Sequence, residues 1–412
     1  MSETTSPVVV IGAGQAGLSF CAKLRSLGHE GPITLIGEEA TAPYQRPPLS
    51  KAYALGEMDR DRLLLRPLEF YEKTGITLKT GVKATAIDRT AKTVALSDGT
   101  ELAYGTLAIA TGSVPRRLPE AIGGHLDGVL TIRDLEDADR FSALLKTAKS
   151  CAIIGGGYIG LEAAAVASKL GLHVTLIEAA ERILQRVAAS ETSSYFRSLH
   201  DSHGVRILEG ARLARLRSDN GKVTGVELED GSTIDADFVI TGIGVHPADT
   251  LARDAGLEID NGIAVNSSGQ TSDSSIYSFG DCASFPYQDG RIRLESVGNA
   301  IAQAEAAAAS VMGTEAPYVA KPWFWSDQYD VKLQIAGLNT GYDKVVTRPT
   351  DEKCVSFWYF KGIRLIAVDS MNDPRAYMVG KRMIEGGKSP DPAQIADPAQ
   401  DLKTLATVDT PA

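Results

Sequence analysis

The sequence predicts an α/β protein with two dinucleotide-binding βαβ units and a smaller C-terminal α+β domain. Three observations lead there. A run of β-branched residues enters a G-x-G-x-x-G turn at Val8–Gly17, the same unit returns at Cys151–Glu178, and aromatic-rich alternating segments begin after Lys321.

Taken in order, Val8–Ile11 (VVVI) suits a buried parallel strand. Gly12 permits a tight turn, Gly14 lets backbone approach a pyrophosphate, and Gly17, after Ala16, lets a helix pack close to the strand. Leu18–Leu27 continues as a helix that Gly28 ends. The free N–H groups and positive dipole end at its start suit phosphate oxygens. Ile33–Gly37 returns as a strand, with Glu38 placed to accept from ribose hydroxyls. In APYQRPPLSK, Pro47 and Pro48 fix an extended turn, and Leu49–Leu55 reads as helical. Lys51 there is either a solvated lysine or one aimed at a redox ring. Thr93–Leu96 and Leu102–Tyr104, with Asp98-Gly99 between them, read as a meander, and Leu107–Gly112 (LAIATG) as a buried strand. Ser113–Pro119 reads as a linker.

The repeat at Cys151–Glu178 matches the opening strand for strand. Gly155, Gly157 and Gly160 answer Gly12, Gly14 and Gly17, and Glu178 supplies the terminal acid. Two complete fingerprints imply two dinucleotides bound at once. Beyond them come a helix (Glu191–His203), a strand (Val205–Glu209), a meander (Val223–Leu228 and Phe238–Thr241) and the loop GIGVHP, which contains Gly244. Tyr277–Ala283 is a short strand entering Gly280-Asp281, and Asn299–Met312 an alanine-rich helix. Strands at Lys332–Ala336, Cys354–Tyr359 and Leu365–Asp369, then a helix at Ala376–Glu385, form the last domain. Ser389–Ala412 reads as extended or partly disordered.

Composition narrows the function. The net charge of −10 argues against nucleic acid or an anionic membrane as the main partner. No apolar run reaches transmembrane length, and no basic-plus-apolar leader precedes Val8, so a cytoplasmic protein is expected. Cys21, Cys151, Cys282 and Cys354 are scattered, without metal spacing, and read as small buried thiols. No metal site is expected.

The two repeats, with LAIATG, GDCA, ESVGNA, PPLSK and PWFWSDQYD, resemble the FAD-dependent NADH:ferredoxin reductases of the putidaredoxin reductase type. The resemblance covers all but about the last twenty residues. It implies a glutathione-reductase-like architecture: a discontinuous FAD domain (1–114 and 247–321), an NADH domain (115–246) and a C-terminal domain (322–412). It implies electron flow from NADH through FAD to a 2Fe-2S ferredoxin that serves a cytochrome P450 or a Rieske ring-hydroxylating oxygenase. A monomer or weak dimer is expected. For FAD it points to Gly12, Gly14, Ala16, Gly17, Glu38, Lys51, Ala84, Arg133, Asp281 and Val297. For NADH it points to Gly155, Gly157, Tyr158, Ile159, Gly160, Glu178 and Gly244. Lys51 and Glu162 are expected as a charge pair beside the flavin, and Trp325 as the aromatic over its face. Disulfide reductases and peroxidases of the wider superfamily carry a redox cysteine after the first strand pair. Here no cysteine stands between Cys21 and Cys151, so electrons leave directly from the flavin. A rubredoxin reductase and an apoptosis-inducing-factor-like flavoprotein remain alternatives. Arg66, Lys332, Arg375, Lys381 and Arg382 are candidate docking cations, and Glu305 is a departure that suggests a restricted partner.

Overall fold

The computed structural model describes residues 5–314, 317–351 and 354–406. The chain divides into two compact units: Met1–Arg46, Asp59–Val114 and Val245–Ala320 in the first, and Pro47–Met58, Pro115–Gly244 and Lys321–Ala412 in the second.

The first unit is organised on a parallel sheet in the order Ile276–Ser278, Thr106–Ile109, Val8–Ile11, Ile33–Ile36, Ile76–Lys79. The VVVI strand is central, and both of its faces are covered, which is why its pattern is continuous rather than alternating. Val8 and Val10 pack with Phe20 and Leu24 of the helix Gln15–Ser26 and with Ala304 and Ala308 of the helix Val297–Val311. Val9 and Ile11 share the opposite core with Val94 and Leu96 of the predicted meander.

The second unit repeats this sheet as Arg206–Leu208, His173–Ile177, Ser150–Ile154, Phe238–Thr241, Val129–Leu130, all parallel. It also holds an antiparallel sheet in the order Trp323–Gln328, Val331–Gly337, Arg364–Met371, Val355–Lys361, Lys344–Pro349. Period-2 reading missed its two edge strands. Trp323–Gln328 carries side chains on both faces that are only half-buried or polar, and Lys344–Pro349 alternates weakly. One core joins both sheets: Ala188 and Phe196 pack with Leu333, Tyr359 and Met371.

The segment Pro47–Met58 clusters with the second unit, where Ser50, Lys51 and Tyr53 bond to Glu162, Glu162 and Asp139. Residues 115–244 and 321–412 belong to that same unit and share its core. Two expectations are corrected. Instead of a helix over Leu49–Leu55, a single 3-10 turn spans Pro47–Ser50 and turns follow. The expected linker at Ser113 opens with a short strand, Ser113–Pro115, paired with Val245–Pro247.

The C-terminal reading also changes. Pro392–Ala396 and Leu402–Leu405 are short helices capped by Asp391 and Asp401, and Ile395, Leu402 and Leu405 are buried. The Arg348 guanidinium donates to the carbonyls of Ile395, Asp397, Pro398 and Gln400 at 2.7–3.2 Å. A distant arginine thus supplies the order that local composition lacks. Residues 407–412 of that expectation lie outside the described residues.

Candidate active site

The two glycine fingerprints use their glycines differently, and the packing says why. At Gly12 (φ +112°) a Cβ would lie 2.1 Å from the Ala110 carbonyl oxygen, and at Gly17 it would lie 2.0 Å from that of Gly12. Those positions are closed by the fold itself. At Gly14 a Cβ would meet nothing within 4 Å, and Gly14 is the N-cap of its helix with no side-chain cap. The second fingerprint behaves alike. A Cβ on Gly155 would sit 2.4 Å from the Gly242 oxygen and one on Gly160 2.1 Å from that of Gly155, while Gly157 faces open space at a helix N-cap. Each unit therefore presents uncapped helix N–H groups across an open glycine, a cradle that fits a dinucleotide pyrophosphate.

Around the first cradle, Ala16 is buried and abuts Gly280, where an added Cβ would lie 3.0 Å from its methyl. Glu38 is exposed and ion-paired to Lys83 at 3.0 Å, while its neighbour Glu39 accepts from the Tyr44 hydroxyl and Arg46. Ala84 begins the strand Ala84–Asp88. Asp281, on the turn Gly280–Cys282, accepts from the Ser113 hydroxyl at 3.0 Å. Val297 opens the helix that Ser296 caps.

In the second unit, Glu178 does more than its position at a strand end suggested. Its carboxylate accepts from the backbone N–H of Gly156 at 2.6 Å and of Ala180 at 2.7 Å, so it braces the glycine loop. Tyr158 lies against Phe324, ring centroids 4.9 Å apart, and burial pushes its hydroxyl well above the usual phenol range. Ile159 is exposed, and Gly244 (φ +93°) takes a left-handed turn. Arg133 precedes the helix Leu135–Leu145, its backbone N–H held by Asp137.

The same unit brings Lys51 and Glu162 together. Glu162, 2% exposed, lies on the helix Tyr158–Lys169 and takes Lys51 Nζ on Oε2 at 2.7 Å. The Ser50 hydroxyl donates to Oε2 and the Ser326 hydroxyl to Oε1, each at 2.7 Å. Buried carboxylates need such saturation, since an unpaired one would be severely destabilising. Ser50 and Ser326 escaped sequence reasoning. Serine is common, and only the strand register, which places Phe324, Ser326 and Gln328 on one face, would have shown them. Trp325 belongs to the opposite face, stacked on Trp323 at 5.5 Å. With Phe324, Lys332, Gln334 and Tyr377 these tryptophans line a cavity of about 210 Å³.

No redox thiol competes. Burial pushes Cys21 and Cys151 up to about 12, so both stay protonated and inert. Among the described residues no acidic, histidine or cysteine group could hold a metal.

Two dinucleotide cradles and a buried lysine–carboxylate pair define a flavoprotein oxidoreductase that also takes a nicotinamide coenzyme. The chain belongs to the pyridine nucleotide-disulphide oxidoreductase family, whose model matches residues 6–304, and a reductase C-terminal model matches 323–406. It is 42% identical over 399 residues to the rhodocoxin reductase of Rhodococcus erythropolis, covering 96% of this chain and 93% of that one. The structure of the covalent putidaredoxin reductase–putidaredoxin complex superposes with a TM-score of 0.94 at 41% identity, covering 97% and 98% of the two chains. A rubredoxin-NAD(+) reductase of Pseudomonas putida is 39% identical over 371 residues, 89% of this chain and 96% of that one. FAD and NAD(H) are the cofactors of this family.

Proposed function

We propose that the chain is a cytoplasmic NADH-dependent ferredoxin reductase, passing electrons through FAD to a 2Fe-2S ferredoxin that feeds a cytochrome P450 or a ring-hydroxylating oxygenase. The buried Lys51–Glu162 pair carries this reading. It is a fixed charge pair in a chain with no cysteine at the position of the family's redox thiols. When bound, FAD would supply the exchange between a two-electron hydride donor and one-electron acceptors, and the residues named below would hold it.

In this reading Gly12, Gly14, Ala16, Gly17, Glu38, Ala84, Arg133, Asp281 and Val297 hold FAD. Gly155, Gly157, Tyr158, Ile159, Gly160, Glu178 and Gly244 hold NADH. Lys51 and Glu162 set the electrostatics at the redox ring, and Trp325 covers its face. The domains are assigned as FAD (1–114, 247–321), NADH (115–246) and C-terminal (322–412), with Pro47–Met58 set apart from the first. Among the described residues no helix is long and apolar enough to cross a membrane.

The coenzyme preference follows from Glu178. A 2′-phosphate placed beside a carboxylate meets like charge. Arg182, which could have offset it, is held within the fold by the Ala189 carbonyl and the Ser193 hydroxyl. NADH is therefore expected to exceed NADPH in kcat/KM, and comparable values would contradict the assignment. Glu178→Ala is expected to cost about 1.5–3 kcal/mol of NADH binding, the scale of one charged hydrogen bond. It also frees the Gly156 N–H, so the KM effect comes with a lowered Tm.

Local ion pairing sorts the candidate docking cations. Lys332 pairs with Asp327, Arg375 with Asp401, and Lys381 with Glu385, so three of the five are locally balanced. Arg66 and Arg382 are exposed and have no carboxylate partner among the described residues. Charge reversal at Arg66 is expected to raise the ferredoxin KM up to about fivefold, since an exposed charge contributes roughly 0.2–1 kcal/mol. Added salt should slow ferredoxin reduction over a Debye length of about 10 Å at 0.1 M, and slow reduction of a neutral dye far less. Turnover indifferent to both salt and the reversal would remove electrostatic docking. The rubredoxin reductase relative keeps a second acceptor in view. Steady-state turnover with NADH and purified 2Fe-2S ferredoxin or rubredoxin separates the two, and failure with every ferredoxin tested would defeat the primary reading.

A further inference from the structure

The Glu162 carboxylate is the end of a longer buried chain. Beyond Ser326, the Gln328 side-chain amide lies 3.1 Å from the Ser326 hydroxyl, and His200 Nε2 lies 2.8 Å from Gln328 Oε1. Tyr329 Oη lies 3.3 Å from His200 Nδ1. Glu162, Ser326, Gln328 and His200 are each at most 2% exposed. His200 comes from the helix Ser190–Ser202 and the other two links from the strand Trp323–Gln328, so the chain ties these two elements of the second unit to one carboxylate oxygen on a third, the helix Tyr158–Lys169.

The direction of each bond as far as His200 follows from the carboxylate outward. A carboxylate paired to Lys51 only accepts, so the single Ser326 proton goes to Glu162. The Ser326 lone pair then accepts, which turns the Gln328 NH2 toward it and the Gln328 oxygen toward His200. That oxygen only accepts, so His200 carries its proton on Nε2, which leaves Nδ1 an acceptor facing the Tyr329 hydroxyl. Burial holds the His200 ring neutral, moving it down to about 4, as this double role requires. Tyr329 is itself fixed: it adopts φ +56°, rare for an aromatic residue, and stacks on His203 with centroids 3.6 Å apart. The chain cannot carry protons, because an amide donates through one atom and accepts through another. Its output is orientation.

We propose that His200 is a positioning residue: by holding the Gln328 amide with its NH2 toward Ser326, it keeps the Ser326 hydroxyl on Glu162 and thereby holds Glu162, and through it Lys51, in one geometry. This rests on the reading of Lys51 and Glu162 as the charge pair beside FAD. Without His200 the Gln328 amide is free to turn over. Its oxygen then draws the Ser326 proton away, and Glu162 Oε1 loses its donor inside the protein.

The test uses the full-length FAD-loaded enzyme and two readouts besides turnover. The first is ¹⁵N NMR of histidine-labelled protein. A resonance that disappears in His200→Gln should report the Nε2–H tautomer, unchanged from pH 6 to 8; an Nδ1–H tautomer at His200 overturns the proposal. The second compares His200→Leu with the parent by stopped flow and by FAD midpoint potential. With FAD content retained, flavin reduction by NADH should slow about tenfold, as expected for roughly one charged hydrogen bond lost, and the potential should shift. His200→Gln, which restores a donor, should recover most of the rate. A His200→Leu variant that keeps either the parental rate or the parental potential refutes the positioning role. If it does not fold, the tautomer in the parent decides. A parent that NADH does not reduce would instead defeat the functional reading and leave the tautomer test standing.

Discussion

Lys51→Met is expected to slow the reduction of bound FAD by NADH roughly 100- to 1,000-fold, the scale of removing one preorganised charge-stabilising group. The same change leaves Glu162, 2% exposed, without its counter-ion. Losing one partner of a buried pair costs about 3–5 kcal/mol of stability. The two effects can be separated. Lys51→Met combined with Glu162→Gln removes both charges while keeping an amide oxygen that accepts from one of Ser50 and Ser326 and an NH2 that donates to the other. It should regain most of the stability in a denaturant titration and none of the rate. Anaerobic stopped flow checks the kinetic half. A Lys51→Met enzyme reduced as fast as the parent would mean the pair is structural.

Gly14→Ala is expected to give a folded protein poor in FAD, whereas Gly17→Ala should fail to fold. The backbone alone sets this contrast. A methyl at Gly14 meets no protein atom within 4 Å and projects into the cradle, while one at Gly17 is driven to 2.0 Å from the Gly12 carbonyl oxygen. Overpacking against a bound pyrophosphate typically costs about 1–3 kcal/mol. The paired change Gly157→Ala should leave FAD in place and raise the NADH KM. Flavin released by acid precipitation, circular dichroism and steady-state kinetics read the three results. An FAD-replete Gly14→Ala protein would show that the pyrophosphate does not approach that glycine.

Much of this was legible in the residues. The repeat of strand, glycine turn and acid at Val8–Glu38 and Cys151–Glu178 follows from local steric demands, because only glycine fits at 12, 17, 155 and 160 and buried parallel strands need continuous β-branched runs. The pairing of Lys51 with Glu162 was an expectation from family position, and the structure brings those side chains into contact. The partners of that pair were not legible. Ser50, His200, Ser326 and Gln328 are common residue types from three separate stretches of chain, and no spacing rule links one stretch to another.

The sequence by itself determined the two nucleotide-binding units, the absence of a redox cysteine between Cys21 and Cys151, and the acid at the end of each unit's second strand. These are properties of short segments, governed by backbone conformation and hydrophobic period. Only the tertiary structure decided that Pro47–Met58 leaves the first unit, that Glu178 braces the Gly156 loop, that Lys332, Arg375 and Lys381 are balanced by acids, and that Arg348 orders the chain near Pro392–Leu405. Each of these depends on a hydrogen bond or ion pair whose geometry is set by the strand register and helix packing that bring its partners together. A charge has no visible counterpart in the sequence until the fold sets one within about 4 Å of it, where burial makes the pairing strong.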